Sequence, residues 1–166
     1  NFGLLDTYLR AQVDDHLANP RDDLTTFLLE AEMDGEPLLP EHVGGTIALL
    51  LIAGIDTTWS AIGAALWHLA SHPDDRHRLI DEPEIMPLAI EELLRFYAPV
   101  TMARLVKDDF EFNGCPMHAD EWVLLPFPAA NRDPEFFDRA DEFIIDREEN
   151  RHAAFGLGIH RCAGSN

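Results

Sequence analysis

The stretch from Pro40 to Ser71 or His72 limits the possible folds more than any other part of the chain. Pro40 suits the first turn of a helix, Pro73 marks its end, and the sequence between them is mostly apolar. A helix of about 32 residues would be roughly 48 Å long at 1.5 Å per residue, which is long for a globular domain. An apolar helix of this length needs either a large surrounding domain or a lipid bilayer to cover its sides.

A membrane span is one interpretation of this helix, because Asp56 is the only charged residue between Val43 and Trp67. Against it stand the end of the uninterrupted apolar run at Ile55 and four glycines within the stretch. An acidic residue in the middle of a span would also cost about 2.5 to 3.5 kcal/mol on insertion scales. We therefore predict a helix in the buried centre of a large soluble domain, with no membrane span in this segment.

The other predicted elements are shorter, and they indicate a mainly α fold with a small antiparallel β portion. Helices are predicted over Phe2–Ala18, from Asp22 or Asp23 onward, over Asp74–Ile80 and over Pro87–Tyr97. Strands are predicted at Arg104–Val106, Phe110–Phe112 and Trp122–Leu125, with a turn at Asn113-Gly114. Residues 34–37 are predicted to be a loop, and residues 126–151 a long, mostly irregular segment.

The net charge and the cysteine content limit which partners and which cellular compartment are possible for this chain. The chain has 31 acidic and 12 basic residues, which gives a formal charge of -19. Such a chain repels nucleic acid and anionic lipid, so we predict no nucleic-acid partner. Its two cysteines do not make a disulfide framework, and we expect a reducing, cytoplasmic location. Cys115, beside the Asn-Gly turn, is interpreted as incidental.

The chemistry of the chain is predicted at Cys162, which lies in a glycine-rich and locally basic loop. A thiolate, the form of cysteine that ligates metal, is favoured by positive charge, backbone N–H groups and a helix N-terminus. The basic residues close in sequence are Arg151, His152, His160 and Arg161. A haem iron bound by such a thiolate receives electron density that favours O–O cleavage. By itself, a lone cysteine among glycines is more often a small buried apolar residue.

A zinc site built from His152, His160 and Cys162 is an alternative interpretation of the same segment. Histidine and cysteine are ordinary zinc ligands, so the residue types are suitable. The segment lacks a fourth ligand and the paired spacings of zinc modules. We therefore do not favour a zinc site.

Polar residues interrupt two of the predicted helices. Asp56 and Thr57 lie in the middle of the apolar helix, where a buried Asp needs a partner or a proton. Thr57 can bond back to the carbonyl four residues earlier, so a structural role explains it as well as a functional one. Arg95 lies three residues after Glu92 and four after Glu91, and an exposed pair at this spacing stabilises a helix by only about 0.2 to 0.5 kcal/mol.

Taken in order, these motifs resemble those of the cytochrome P450 family. The family's haem-binding signature is aromatic-Gly-x-Gly-x-His/Arg-x-Cys-x-Gly, and its fixed positions are matched by Phe155, Gly156, Gly158, His160, Cys162 and Gly164. Residues 53–58 resemble the oxygen-binding groove, and Glu92 with Arg95 resembles the Glu-x-x-Arg helix. With the Asn-Arg-Asp-Pro segment, the likeness covers about residues 43–164 and is closest to soluble bacterial members.

The resemblance implies a haem b site. The cofactor-binding residues that it assigns are Cys162, His160, Arg104, Phe155, Gly156, Gly158 and Gly54. Cys162 is the axial ligand of the haem iron, and Phe155 packs near its sulphur. Arg104 and His160 face the haem propionates, which suits the match between a guanidinium and a carboxylate. Gly54 leaves room for dioxygen.

The resemblance also implies the residues on the opposite face of the haem. Asp56 and Thr57 would supply protons for oxygen activation through ordered water, which is general acid chemistry. The lining of a substrate pocket would include Leu50, Ala53, Val100 and Thr101.

The resemblance further implies a structural triad of Glu92, Arg95 and Arg147 that braces the cysteine loop and is not a catalytic unit. The first two residues belong to the Glu-x-x-Arg helix, and Arg147 comes from the irregular segment. The chain departs from the family at Ile145, where a proline is expected.

The implied activity is monooxygenation of a small organic substrate with O2 and electrons from NAD(P)H, delivered by a ferredoxin or a reductase. A peroxide-driven peroxygenase is one alternative, but such members typically lack the acid and alcohol pair seen at Asp56 and Thr57. An inactive haem-binding fragment is the other, because residues 1–166 match part of a single cytochrome P450 domain without its N-terminal half and C-terminal end. Such a fragment is expected to expose large apolar surfaces and neither to fold stably nor to catalyse.

Overall fold

The chain forms six α-helices and three two-stranded antiparallel sheets in the computed structural model, which describes residues 2–165. The helices are α1 (Phe2–Ala18), α2 (Leu24–Leu29), α3 (Pro40–Ser71), α4 (Pro73–Asp81), α5 (Met86–Tyr97) and α6 (Phe127–Ala130). The strands are β1 (Glu32–Met33), β2 (Glu36–Pro37), β3 (Thr101–Leu105), β4 (Phe110–Phe112), β5 (Cys115–Met117) and β6 (Trp122–Pro126). The predicted fold class is confirmed.

Prolines set the boundaries of the longer helices. Pro20 follows α1, Pro40 begins α3, and Pro73 begins α4 directly after α3 has ended. Proline has no backbone N–H to donate, so it fits the first turn of a helix and interrupts a preceding one. α3 has 32 residues, as its spacing predicts.

The chain divides into two units, Asn1–Asp56 and Thr57–Asn166, and the boundary falls within α3. In the first unit α1 contributes Val13 to the core, where Val43 of α3 is also fully buried. Gly44 brings the two helices close, since a Cβ at this position would lie 3.9 Å from Cγ2 of Val13.

Residues 32–37 form a hairpin where the sequence predicts only a loop. β1 and β2 are antiparallel, with Glu32 opposite Pro37. Asp34 and Gly35 have φ angles of 56° and 82°, the left-handed conformation that tight hairpin turns require. Each strand has two residues, which is too short for an alternating pattern to be visible in the sequence.

The second unit builds its core from α4, α5 and the irregular segment. The buried residues of this core are Leu79, Ala89 and Ile145, with Leu69, Ile85 and Phe143 packed against them. Apart from α6, the described residues between β6 and position 157 contain no helix or strand, as predicted for most of this segment.

β3 and β6 form a ribbon whose register runs from Thr101 opposite Pro126 to Leu105 opposite Trp122. The strand predicted at Arg104–Val106 is therefore wrong at both ends, since β3 begins at Thr101 and ends at Leu105. The partner strand explains the difference, because all five residues of β6 find a partner in β3. An apolar run in one strand carries no information about the partner that determines its length.

Much of α3 is exposed among the described residues, so its burial in the centre of a larger domain stays a prediction. Leu49, Trp59 and Leu66 are 65%, 74% and 65% exposed. By length and composition alone α3 is also long and apolar enough to cross a membrane. The expected exposure of large apolar surfaces is confirmed for the described residues.

Candidate functional site

The most completely buried polar group of the second unit is an ion pair within one turn of α5. Arg95 donates from Nε to Oε2 of Glu92 at 2.7 Å and from Nη2 to Oε1 at 2.8 Å. Both side chains are fully buried. This two-bond geometry is the strongest that a guanidinium and a carboxylate can form. The exposed, weak pair that the spacing by itself suggests is therefore not what the chain forms.

Arg147 completes this arrangement from the irregular segment, although Ile145 departs from the family pattern. Its Nε donates to Oε2 of Glu92 at 3.0 Å, and its Nη1 donates to the carbonyl of Asp138 at 2.7 Å. Ile145 is itself buried in the core, so an apolar residue without the proline ring still holds this segment in place. We refer to Glu92, Arg95 and Arg147 as the α5 network.

Most of the other hydrogen bonds of the α5 network are made to backbone atoms. Arg95 donates to the carbonyls of Asn131, Ala140 and Glu142 at 2.7 to 2.8 Å. Glu92 accepts the backbone N–H of Ile144 at 2.8 Å. The network therefore ties α5 to several points of a segment that has no regular structure of its own.

The charge state of Glu92 follows from its surroundings. Burial would raise the pKa of Glu92, but hydrogen bonds from Arg95 and from the N–H of Ile144, with the charges of Arg95 and Arg147, lower it from its ordinary value. Glu92 is therefore ionised at neutral pH, and one carboxylate faces two guanidinium groups.

The cysteine loop, residues 155–164, is closed by its own backbone. The N–H of Cys162 donates to the carbonyl of Phe155 at 2.8 Å, and the N–H of Gly156 donates to the carbonyl of Ala153 at 2.8 Å. Gly156 and Gly158 have φ angles of 73° and 69°, which side chains rarely tolerate. The loop thus presents Cys162 at the surface instead of burying it as a small apolar residue.

Gly156 anchors the loop against the end of the β3–β6 ribbon. It is buried, and a Cβ at this position would lie 3.6 Å from Cζ of Phe127, the first residue of α6. Phe155 is half-buried, with its ring centroid 6.1 Å from that of His152.

The two candidate propionate-binding residues are both exposed. Arg104 lies on β3 and donates to the carbonyl of Ala103 at 2.9 Å, and His160 lies in the short turn Gly158–His160. Among the described residues no hydrogen bond joins either side chain to Cys162. Apart from this bond to Ala103, neither side chain makes a hydrogen bond within the described residues, so the other donors can meet an acidic ligand.

The zinc interpretation is wrong, because no group of three or more His, Cys, Asp or Glu residues in the described part of the chain could hold a metal ion. His152 is used structurally instead. Its Nδ1 accepts the N–H of Ala154 at 3.2 Å, and its Nε2 lies 3.0 Å from Oε2 of Glu91. The backbone N–H requires an unprotonated Nδ1, so Nε2 carries the proton and donates to Glu91.

The candidate residues of α3 lie in its exposed middle. Leu50, Ala53 and Gly54 are exposed and share one face of the helix by their spacing. A Cβ at Gly54 would meet no atom within 4 Å. Asp56 is exposed and Thr57 is half-buried, at the boundary between the two units.

The two remaining pocket candidates stand at the start of β3. Val100 is half-buried, and Thr101 is exposed opposite Pro126. They belong to the same unit as the cysteine loop, and Phe127, which contacts that loop, follows directly after β6.

Comparison with known proteins agrees with this arrangement. The family model for cytochrome P450 matches residues 7–166, almost the whole chain. The chain belongs to the cytochrome P450 family. It is 40% identical over 147 residues to a probable cytochrome P450 127A1 of Sinorhizobium fredii, covering 89% of this chain and 36% of that protein. It is 36% identical over 165 residues to a steroid C26-monooxygenase of Mycobacterium tuberculosis, covering 99% of this chain and 44% of that protein.

Solved cytochrome P450 structures share the fold. The structure of CYP109E1 from Bacillus megaterium in complex with testosterone superposes with a TM-score of 0.91 and 38% identity, covering 98% of this chain and 46% of that one. The chain thus spans less than half the length of the cytochrome P450 relatives that it matches.

The residues of the site fit the haem of this family. The thiol of Cys162 is exposed, and among residues 2–165 it belongs to no cluster of metal-ligating side chains, which suits an iron whose other ligands come from a porphyrin. Gly156 and Gly158, which have positive φ angles, add no side chains near Cys162. Arg104 is exposed and can donate further hydrogen bonds to an acidic group.

Sequence reasoning missed the structural roles of two residues of the site. Asn131 is buried beside Arg95, and His152 joins the start of the cysteine loop to Glu91. The signal for Asn131 was its place in the Asn-Arg-Asp-Pro segment, which identified the segment and no role for the side chain.

Proposed function

We propose that this chain belongs to a haem-thiolate monooxygenase that inserts one oxygen atom of O2 into a small organic substrate. The observation that carries the proposal is the exposed Cys162 in a loop closed by its own backbone hydrogen bonds. Relatives with that activity in their names, such as the steroid C26-monooxygenase, support it.

Cys162 would bind the iron of haem b as its axial ligand. When bound, the haem supplies the oxygen chemistry, while the protein determines the ligand, the proton supply and the substrate position. Arg104 and His160 would bind the propionates, and Phe155 would shield the sulphur from water. All four side chains lie in the second unit.

Asp56 and Thr57 would hold and deliver the protons that reduction of O2 consumes. Leu50, Ala53, Val100 and Thr101 would line the substrate pocket. Electrons would come from NAD(P)H through a ferredoxin or a reductase, and the reducing cytoplasm is the compartment that this chemistry and two unpaired cysteines favour.

We also propose that residues 1–166 act as part of a single longer cytochrome P450 domain. The support is the exposed apolar surface of α3 and the share of the relatives that the chain covers. An apolar surface of this size is normally covered by protein or lipid. The 166 residues by themselves are then expected to show no turnover.

Absorption spectroscopy of the reduced protein under carbon monoxide tests the ligand assignment directly. We expect the far red-shifted Soret band of thiolate ligation in the haem-loaded protein, loss of that band in Cys162→Ala, and its retention in Cys115→Ala. Cys115 is a matched control because it is the other exposed free cysteine. A Cys162→Ala protein that keeps the band would overturn the proposal.

Turnover measurements separate this proposal from a peroxygenase. With a reductase system, Thr57→Ala is expected to consume NAD(P)H while releasing peroxide in place of product, because proton delivery is impaired. Equal product formation by Thr57→Ala and the parent protein would remove the proton-delivery role, and turnover supported only by peroxide would favour the peroxygenase.

A further inference from the structure

Asn131 lies between the α5 network and the cysteine loop. Its side chain is 1% exposed and makes two hydrogen bonds. Nδ2 donates to the carbonyl of Arg95 at 3.1 Å, and Oδ1 accepts the N–H of Ala153 at 2.7 Å. These partners are 36 and 22 residues away in the chain, so the side chain joins two distant segments.

The two bonds require an amide at this position. One partner is a carbonyl and the other is an N–H, so the side chain must donate and accept at once, from atoms held in one plane. An ionised Asp can only accept, and an apolar residue can do neither. The main-chain carbonyl of Asn131 adds a third link, since it accepts Nη1 of Arg95 at 2.7 Å.

From Asn131 the bonds continue into the cysteine loop. Ala153, held by the amide oxygen, is buried and accepts the N–H of Gly156 at 2.8 Å. Gly156 starts the loop in its positive-φ conformation, and the preceding Phe155 accepts the N–H of Cys162 at 2.8 Å. Hydrogen bonds thus connect α5 to Cys162 through the buried side chain of Asn131. The other side-chain link from α5 to the start of the loop, His152 to Glu91, ends on an exposed carboxylate.

We propose that Asn131 is a positioning residue for Cys162, which fixes the start of the cysteine loop relative to α5 and so determines where the sulphur meets the haem iron. This inference rests on the proposed function, because it assumes that Cys162 is the iron ligand. A residue that only stabilised the fold would change how much haem-loaded protein forms. A positioning residue changes the iron ligation within the protein that has formed.

The expected effect follows from the bond to Ala153. Without the amide oxygen, the buried N–H of Ala153 has no acceptor in the native loop conformation. A conformation in which this N–H meets water or another acceptor then becomes relatively more stable. A buried donor without its partner shifts such an equilibrium by roughly tenfold. The fraction of haem-bound protein without thiolate ligation should therefore rise about tenfold.

The experiment uses the haem-loaded protein and three substitutions. Asn131→Leu has similar volume and no hydrogen bonds, Asn131→Asp keeps an acceptor for Ala153, and Asn131→Ser is a smaller polar replacement. For each, the thiolate-type Soret band of the reduced carbon monoxide complex is divided by total haem, so that yield does not enter. The ratio should fall in the order parent, Asn131→Asp, Asn131→Leu, with Asn131→Ser below the parent.

Asn150→Ala is the matched control. Asn150 also donates from Nδ2 to the α5 network, at 3.1 Å from Oε2 of Glu92, but its side chain makes no bond to the cysteine loop among the described residues. Its substitution is expected to change thermal stability while leaving the ligation ratio at the parental value.

The outcomes are distinguishable. A parent protein without the thiolate band would remove the proposed function and this inference with it. A parent with the band, together with an unchanged ratio in Asn131→Leu, would overturn the inference alone. If Asn131→Leu binds no haem, Asn131→Ser decides in the same way, and a ratio equal to that of the parent overturns the inference.

Discussion

The α5 network and the exposed stripe of α3 differ in how far the described residues bury their side chains. In α5 two oppositely charged side chains are fully buried, and their hydrogen bonds are made within this unit. In α3 an apolar stripe of Trp59, Ile62 and Leu66, spaced at three and four residues, is more than half exposed. Thus α5 places charged side chains in the core of its unit, whereas α3 leaves apolar side chains exposed to solvent.

The difference follows from the direction dependence of the two interactions. A buried charge needs partners at particular distances and angles, and here the nearby irregular segment provides them. An apolar surface has no such requirement and can be covered by any apolar partner of suitable shape. The polar groups behind the cysteine loop therefore find their partners within the second unit, whereas the apolar stripe of α3 stays exposed among the described residues.

The largest expected effect comes from breaking the α5 network. Arg95→Ala would leave the carboxylate of Glu92 buried with only part of its compensation, which costs about 3 to 5 kcal/mol for a buried pair. We expect the haem-loaded protein to be lost or to unfold far below the parental temperature, as measured by haem absorbance during heating. Stability within about 1 kcal/mol of the parent would contradict a buried pair at this site.

The second effect tests whether α3 has a covering surface in the longer domain. Trp59→Gln in the haem-loaded protein should lower the free energy of unfolding by about 2 kcal/mol, because a buried aromatic side chain would be replaced by a polar one. Chemical denaturation measures this. Trp122→Gln is the control, since Trp122 is equally exposed, at 74%, and lies outside the stripe. Equal, small effects of the two substitutions would show that α3 stays exposed.

The third effect concerns the C-terminal end of α3, where His68 is buried like the residues of α5. Its Nδ1 lies 2.7 Å from the hydroxyl of Tyr97, its Nε2 lies 2.9 Å from Oδ2 of Asp75, and its ring stacks on that of His72 at 4.2 Å. Burial lowers the pKa of His68 from its ordinary value, more than the hydrogen bond to Asp75 raises it.

This shift gives a pH dependence of definite sign. The unfolded chain binds a proton at His68 as the pH falls through about 6.5, while the folded chain resists it. The free energy of unfolding therefore keeps the full contribution of neutral His68 above that pH. Below it the free energy of unfolding declines by at most about 1.4 kcal/mol per pH unit. Denaturation curves of the parent and of His68→Gln, measured at pH values on both sides of 6.5, should show a smaller slope for the variant. Identical slopes would contradict the shift.

The smallest effect is expected at the surface pair of Arg139 and Glu142. The two side chains are 55% and 61% exposed, with Nη1 lying 3.4 Å from Oε2. Arg139→Ala should change stability by less than about 0.5 kcal/mol, because exposed pairs are screened by water and salt. Thermal unfolding of Arg139→Ala and Arg95→Ala, measured under the same conditions, compares the two pairs. A loss of stability in Arg139→Ala as large as that in Arg95→Ala would show that burial does not separate them.

Local signals were sufficient for most helices. α1 and α3 have the predicted limits, and α5 begins one residue before its predicted start, because prolines and helical spacing act within a few residues of the boundary. The start of β3 could not be predicted in this way. Thr101 joins the strand because Pro126 lies opposite, and strand partners are not encoded near the strand itself.

The sequence likewise predicted some residues of the site and not others. The resemblance to the family identified the key groups, because its motifs match Glu92, Arg95 and the glycines around Cys162 at fixed spacings. The bridge at Asn131 was not predictable, since both of its partners are backbone atoms of distant residues. Any residue has a backbone carbonyl and N–H, so no residue type identifies such a partner.

The sequence by itself therefore determined most of the helices, the family and, through the family's motifs, the candidate ligand, since these depend on residue types at short and regular spacings. The tertiary structure decided that the pair in α5 is buried, and it gave the bond by which Arg147, suggested by the resemblance, joins the pair. It also decided that Asn131 connects the α5 network to the cysteine loop. Burial and long-range hydrogen bonds depend on which distant segments meet, and spacing along the chain does not contain that information.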